Sequence, residues 1–169
     1  MAFDNGLTFH FIGLTAVTLL LNWQLALVAG TLAQLGMLII GWDDAAAFGV
    51  NGLLRVLLPV LVTVLVCHAL ERFKPTNLFL YIFISGFFAA GLSAVVTILA
   101  GMGLLAWSGE LAMPAGLLEV FGYLLLVAFP EAFINGTAVA GLVVFYPDWL
   151  ETFESDRYLQ EPFDSDKKG

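Results

Sequence analysis

Long apolar runs constrain this chain more than any other feature. They recur at ~20 residues, the length a helix needs to cross the hydrocarbon core of a bilayer. Backbone N–H and C=O groups find no water there, so each run must satisfy them internally, as a helix does. Charged residues make up 12% of the 169 residues, against about 25% in a soluble domain. The fold class that follows is an all-α membrane protein. It is a polytopic helical bundle of about five transmembrane helices plus a short interfacial or re-entrant helix, with no separate soluble domain.

Taken in order, the runs predict spans at about 9–22, 23–41, 49–70, 77–107 and 130–146, within one integral membrane domain covering 1–147. Only Asn22 and Trp23 separate the first two runs, which predicts a tight turn, and Trp23 and Trp42 flank the second as an aromatic belt would. The fourth run is long, ~45 Å if helical, and must tilt or extend past the hydrocarbon. Residues 115–128 reach only ~21 Å, too short to cross alone. Two arrangements fit the last third: one long kinked helix over 115–146, or a short helix over 115–128 followed by a spanning helix that begins at Pro130. Proline suits a first helical turn and disrupts an interior, which favours the second.

The net charge of −8 is concentrated late, at Asp148, Glu151, Glu154, Asp156, Glu161, Asp164 and Asp166. Residues 148–169 therefore read as a solvated acidic tail, and this charge balance argues against nucleic acid as a partner. Arg72 and Lys74 place the loop after the third span on the cytoplasmic side. The N-terminus then lies outside and the tail in the cytoplasm. Residues 1–10 show no basic segment of the kind that opens a signal peptide. Cys67 is the single cysteine, so no internal disulfide can form. Ser85, Ala89, Ser93 and Thr97 recur every four residues, and such small residues let helices approach closely in lipid.

Polar residues at membrane depth are expensive and mark candidate sites. Arg55 and Glu131 both enter from the outer side on this topology and are natural partners. They form either an internal ion pair that fixes register or part of a substrate pathway. Asn135, four residues after Glu131, shares its helix face, and the oxygens of the two could serve a cation or a hydrogen-bond network with Asn51. His10 opens the first span, and imidazole is a common transition-metal ligand. His68 reads as an interfacial residue. The sequence contains no phosphate loop, zinc-ligand cluster, nucleophile elbow or HExxH motif, which argues against an ATPase or a soluble-type hydrolase, and no pair of catalytic groups marks an intramembrane enzyme.

Pro130, Asn135-Gly136 and the run to Tyr146-Pro147-Asp148 resemble the last membrane helix of the CbiM-type cobalt and nickel uptake permeases, substrate-specific subunits of energy-coupling factor ABC transporters. His10-Phe11-Ile12-Gly13-Leu14 is similar to that family's histidine motif, and Gly49-Val50-Asn51 with Pro59 to its Gly-Ala-Asn…Pro helix. The chain departs from the family pattern at Met1-Ala2-Phe3, where the family carries a metal-binding Met-His. It departs again at Asn135, which stands where the family keeps the Glu of a Glu-Gly pair, and at the residues flanking His10. The resemblance implies a permease subunit of the bacterial inner membrane that takes up Co2+ or Ni2+ as cargo, with no permanently bound cofactor. It implies energy-coupling partners, a transmembrane coupling protein and ATP-binding subunits. It points to His10 as the metal ligand, with Glu131, Asn135, Asn51 and Arg55 as polar lining. The alternative is an accessory membrane protein that keeps the fold without the metal site.

Overall fold

The computed structural model describes residues 13–73, 76–109, 117–153 and Tyr158. Among them the regular structure is helical, and four helices are long and apolar enough to cross a membrane. We label them α1 (Leu14–Ile40), α2 (Ala45–Phe73), α3 (Leu78–Ser108) and α4 (Leu117–Phe145). The protein is a multi-pass helical bundle. Its polarity is turned inside out, as lipid demands: Ile39 is 84% and Phe79 70% exposed, whereas Asn135 is fully buried.

The first helix is not straight. Asn22 has φ 68° and ψ 170°, outside any helical region, and divides α1 into a short arm, 14–21, and a long arm, 23–40. The chain reverses there. In a continuous helix Leu14 and Gly30 would lie about 24 Å apart. Instead, a Cβ built on Gly30 would be 3.3 Å from the Leu14 Cδ1, and Leu14, Ala26, Val56 and Val60 pack in one cluster. The Asn22 side chain holds the turn. Its Oδ1 accepts from the N–H of Gln24 at 3.1 Å and of Leu25 at 3.2 Å, capping the long arm.

The expected span at 9–22 is therefore corrected. The helix begins after Gly13, which is left-handed with φ 59°. The short arm is about 12 Å long, so it is a half-helix that turns back before crossing.

The remaining helices alternate in direction. Asp44 caps α2 by accepting from the Ala46 N–H, and Asn77 caps α3 by accepting from the Phe79 N–H. Each helix contains a π-turn, at Leu53–Leu57 and Ile82–Phe88. Small residues bring α3 and α4 together. A Cβ on Gly86 would lie 3.1 Å from the Val139 Cβ, one on Gly91 3.3 Å from the Ala132 Cβ, and one on Gly136 3.0 Å from the Phe87 Cβ. Ser85, Ala89, Ser93 and Thr97 are all buried within the chain.

Two further expectations change. Residues 117–145 form one helix with Pro130 inside it, not a short helix followed by a span. Proline removes one N–H and leaves the Leu126 carbonyl without its helical partner. Breaking the helix in lipid would strand several more backbone groups, so continuing through the proline costs less.

The tail also begins later than residue 148. A 3-10 turn at Pro147–Trp149 carries the chain under the bundle, where Leu150 and Phe153 are buried against Leu19, Leu70, Tyr81, Val139 and Val143. The acidic composition of this stretch hides two apolar anchors.

The Asn22 geometry yields a prediction. Its φ/ψ pair falls in a region essentially reserved for glycine and is strained by about 1–3 kcal/mol. Asn22→Gly should stay within about 1 kcal/mol of the parent, because relief of strain offsets loss of the cap. Asn22→Leu keeps the strain and loses the cap, and should cost about 2 kcal/mol or more. Thermal unfolding in detergent of the two variants checks the order; a glycine variant less stable than the leucine one would refute it.

Candidate functional site

Glu131 is the fifteenth of the 29 residues of α4, the middle of the helix. This corrects its expected position near the outer interface, which followed from starting the helix at Pro130. The carboxylate lies about 21 Å along the helix from either end, and its partners explain how it is held there.

The short arm of α1 begins beside it. The Glu131 Oε1 accepts from the Gly13 N–H at 3.2 Å, and the Asn135 Oδ1 accepts from the Ala16 N–H at 2.9 Å. The Asn135 Nδ2 donates to the Glu131 Oε1 at 2.9 Å and to the Glu131 carbonyl at 2.8 Å. The first N–H groups of a helix lack intrahelical partners and carry the positive end of its dipole. Here α4 supplies a carboxylate and an amide oxygen to them, so the clamp is matched in both hydrogen bonding and charge. The fully buried Asn135 works in both directions, accepting from the short arm and donating to Glu131.

Beside this clamp runs a seam of hydroxyls. Thr15 and Thr63 share a hydrogen bond at 3.0 Å, Thr63 donates to the Pro59 carbonyl at 2.9 Å, and Thr18 donates to the Leu14 carbonyl at 2.7 Å. Glu131, Asn135 and the start of the short arm thus form a polar centre inside an apolar bundle.

Asn51 and Arg55 do not join it. The Arg55 Nη1 lies 2.9 Å from both Asp43 carboxylate oxygens, and the Asn51 Nδ2 donates to the Asp43 Oδ1 at 3.4 Å. The expected Arg55–Glu131 pair is therefore replaced by Arg55–Asp43, with side chains only 9% and 1% exposed. Position explains the exchange. Leu54, next to Arg55, is level with Thr97, whose hydroxyl donates to the Leu54 carbonyl. Glu131 lies beside Ala132, which is level with Gly91, six residues further along α3. That spacing is about 9 Å.

Nearby, Gln34 donates to the Phe48 carbonyl at 2.6 Å, tying the long arm of α1 to the start of α2. Asn51, Arg55 and Asp43 thus lock the 41–47 connection over one end of the bundle.

His10 lies outside the described residues, as does the rest of 1–12. Among the described residues, no group of three or more His, Cys, Asp or Glu side chains could hold a metal ion. His68 is exposed and approaches Glu71 at 3.8 Å.

Sequence reading missed Asp43 and the amides of Gly13 and Ala16. Asp43 looked like loop charge, although its distance from Arg55, three helical turns on, was a usable signal. Backbone amides carry no sequence signature; only the break at Asn22 hinted that a helix terminus lay within the membrane.

Two outcomes are expected for the charge pair. Removing either partner of a buried pair costs about 3–5 kcal/mol, and replacing both with apolar residues recovers most of it. Asp43→Leu and Arg55→Leu should therefore each lower folded yield sharply, while the double variant regains it. Glu131→Gln combined with Arg55→Leu should show additive effects within about 0.5 kcal/mol, as uncoupled sites do. Strong coupling in the second cycle and none in the first would reverse the assignment.

The family model of CbiM, the cobalt uptake substrate-specific transmembrane region, matches residues 1–149. No curated protein and no solved structure matches the chain.

Proposed function

The chain belongs to the CbiM family and is a membrane component of cobalt uptake, and from that premise we propose that it is the subunit that receives the ion. Co2+ is the cargo, with Ni2+ as a second candidate of similar ligand preference. The observation that carries this reading is the clamp at the bundle centre. Glu131 and Asn135 fix Gly13 and Ala16 in the middle of the membrane, three residues after His10. His10 is the nitrogen ligand in this reading, and Glu131 and Asn135 hold the start of the helix that follows it in sequence.

The four helices supply no ATP-binding motif, and uptake against a gradient needs an energy source. A coupling transmembrane protein and ATP-binding subunits fill that role. The N-terminus faces outward and the tail the cytoplasm, following Arg72 and Lys74. The alternative, an accessory subunit without an ion site, is favoured by Ala2, which stands where the family carries a ligand histidine.

Titration of the purified protein separates these readings. Near-stoichiometric Co2+ binding is expected. His10→Ala should weaken it about tenfold or more, and Asn135→Leu about tenfold to a hundredfold, the usual effect of losing a group that orients a ligand. A parent protein that binds no Co2+ above background is the accessory subunit.

A further inference from the structure

The short arm of α1 is held at both ends, and the second hold involves residues beyond the family match, which ends at 149. Its last carbonyls face the break at Asn22. The helical partner of the Leu19 carbonyl would be the Trp23 N–H, but Asn22 interrupts the helix between them. The Thr152 hydroxyl donates to that carbonyl at 3.4 Å, and the Tyr81 and Thr152 hydroxyls share a hydrogen bond at 2.8 Å. With the Thr152 proton on Leu19, Tyr81 donates to Thr152. The result is a chain of hydrogen bonds from α3, through the segment after α4, to the half-helix.

Aromatic packing backs this chain. The Tyr81 ring lies 5.1 Å from Phe153 and 5.3 Å from Tyr158, and Phe153 stacks on Tyr158 at 5.2 Å. Leu150 and Phe153 are buried in the cluster that contains Leu19, Leu70 and Val143. Residues 146–153 therefore cross the end of the bundle directly beneath the arm whose other end sits at Glu131 and Asn135.

We propose that residues 146–153 form a strap that closes the Asn22 end of the bundle, with Tyr81 and Thr152 as positioning residues that pin the half-helix. An ion leaving the centre at that end passes only when the strap lifts. Release of the strap frees the Leu19 carbonyl and lets the short arm move, so the two events are coupled. The ion-release half of this proposal rests on the reading of the centre as an ion site; the closure half does not.

Cys67, the single cysteine, packs against the same cluster and reports on closure. The full-length protein in inside-out vesicles of native membrane, which expose the cytoplasmic face, is labelled with a bulky, membrane-impermeant maleimide. Thr152→Val should label about fivefold faster than the parent, the shift expected for one net hydrogen bond. Thr152→Ser restores the hydroxyl and should return to the parental rate. Tyr81→Phe keeps the ring and should label faster as well, and combining it with Thr152→Val should add little. Should Thr152→Val fold poorly, Tyr81→Phe alone decides the matter. An unchanged rate in Tyr81→Phe, or a serine variant as fast as the valine one, overturns the strap.

A second arm measures initial Co2+ uptake by the assembled complex. The valine variant should change the uptake rate and the serine variant should not. Faster labelling with unchanged uptake overturns the coupling to ion release. A parent protein that neither binds nor takes up Co2+ removes the ion-site reading and leaves the closure result standing.

Discussion

A helix that breaks inside a membrane leaves unpaired N–H groups at one end and unpaired carbonyls at the other, and the bilayer supplies no water for either. Each stranded group costs several kcal/mol in hydrocarbon. The first helix poses this problem twice, where it starts after Gly13 and where it breaks at Asn22, and much of the polar chemistry in the bundle answers it. Glu131 and Asn135 receive the amides at the start of the short arm. The Thr152 hydroxyl donates to a carbonyl at its end. Asn22 caps the long arm with its own side chain. Polar side chains that look costly one at a time are satisfied together, because each meets a backbone group that is also short of a partner.

The packing follows from the same need. Asn135 ties α4 to the short arm of α1 through the Ala16 amide, and on another side of α4 glycines let α3 approach closely. Gly136, beside Asn135, lies so close to Phe87 that an added Cβ would sit 3.0 Å from the Phe87 Cβ, and Gly86 and Gly91 lie as tightly against Val139 and Ala132. In lipid, apolar contact gives little net drive for helix association, so close van der Waals packing and interhelical hydrogen bonds must hold the bundle. The glycine contacts and the Asn135 clamp therefore hold α4 on two sides, one by packing and the other by hydrogen bonds.

The sequence makes some of this legible and hides the rest for definable reasons. Apolar run length marks the crossing helices, and the Asn22-Trp23 junction marks where the first run reverses. Run length carries no depth, so the half-helix reads as a span. Proline statistics from soluble proteins favour a helix start at Pro130, yet lipid penalises a broken helix more than a missing hydrogen bond; Glu131 then reads as interfacial when it is central. Arg55 is visible as a buried cation, but its partner depends on helix register, which places Asp43 beside it and Glu131 about 9 Å further along the bundle axis. The tail reads as solvated because its average composition is acidic, while Leu150 and Phe153 act singly as anchors. Each of these differences comes from a property set by three-dimensional neighbours and not by local composition.

The two ends of the bundle are closed by different physics. At the Arg55 end, Asp43, Asn51 and Arg55 form a buried charged lock, and separating such a pair costs about 3–5 kcal/mol. At the Asn22 end, neutral hydroxyls and aromatic rings close the bundle, and each hydrogen bond contributes only about 1 kcal/mol net. The charged lock yields steeply, because the attraction of an ion pair in a low-dielectric setting is lost as its charges move apart. The neutral closure loosens in steps, one hydroxyl or one ring at a time. A bundle built in this way resists opening at the Asp43 end unless work is done on it from outside, while the Asn22 end lies closer to thermal reach.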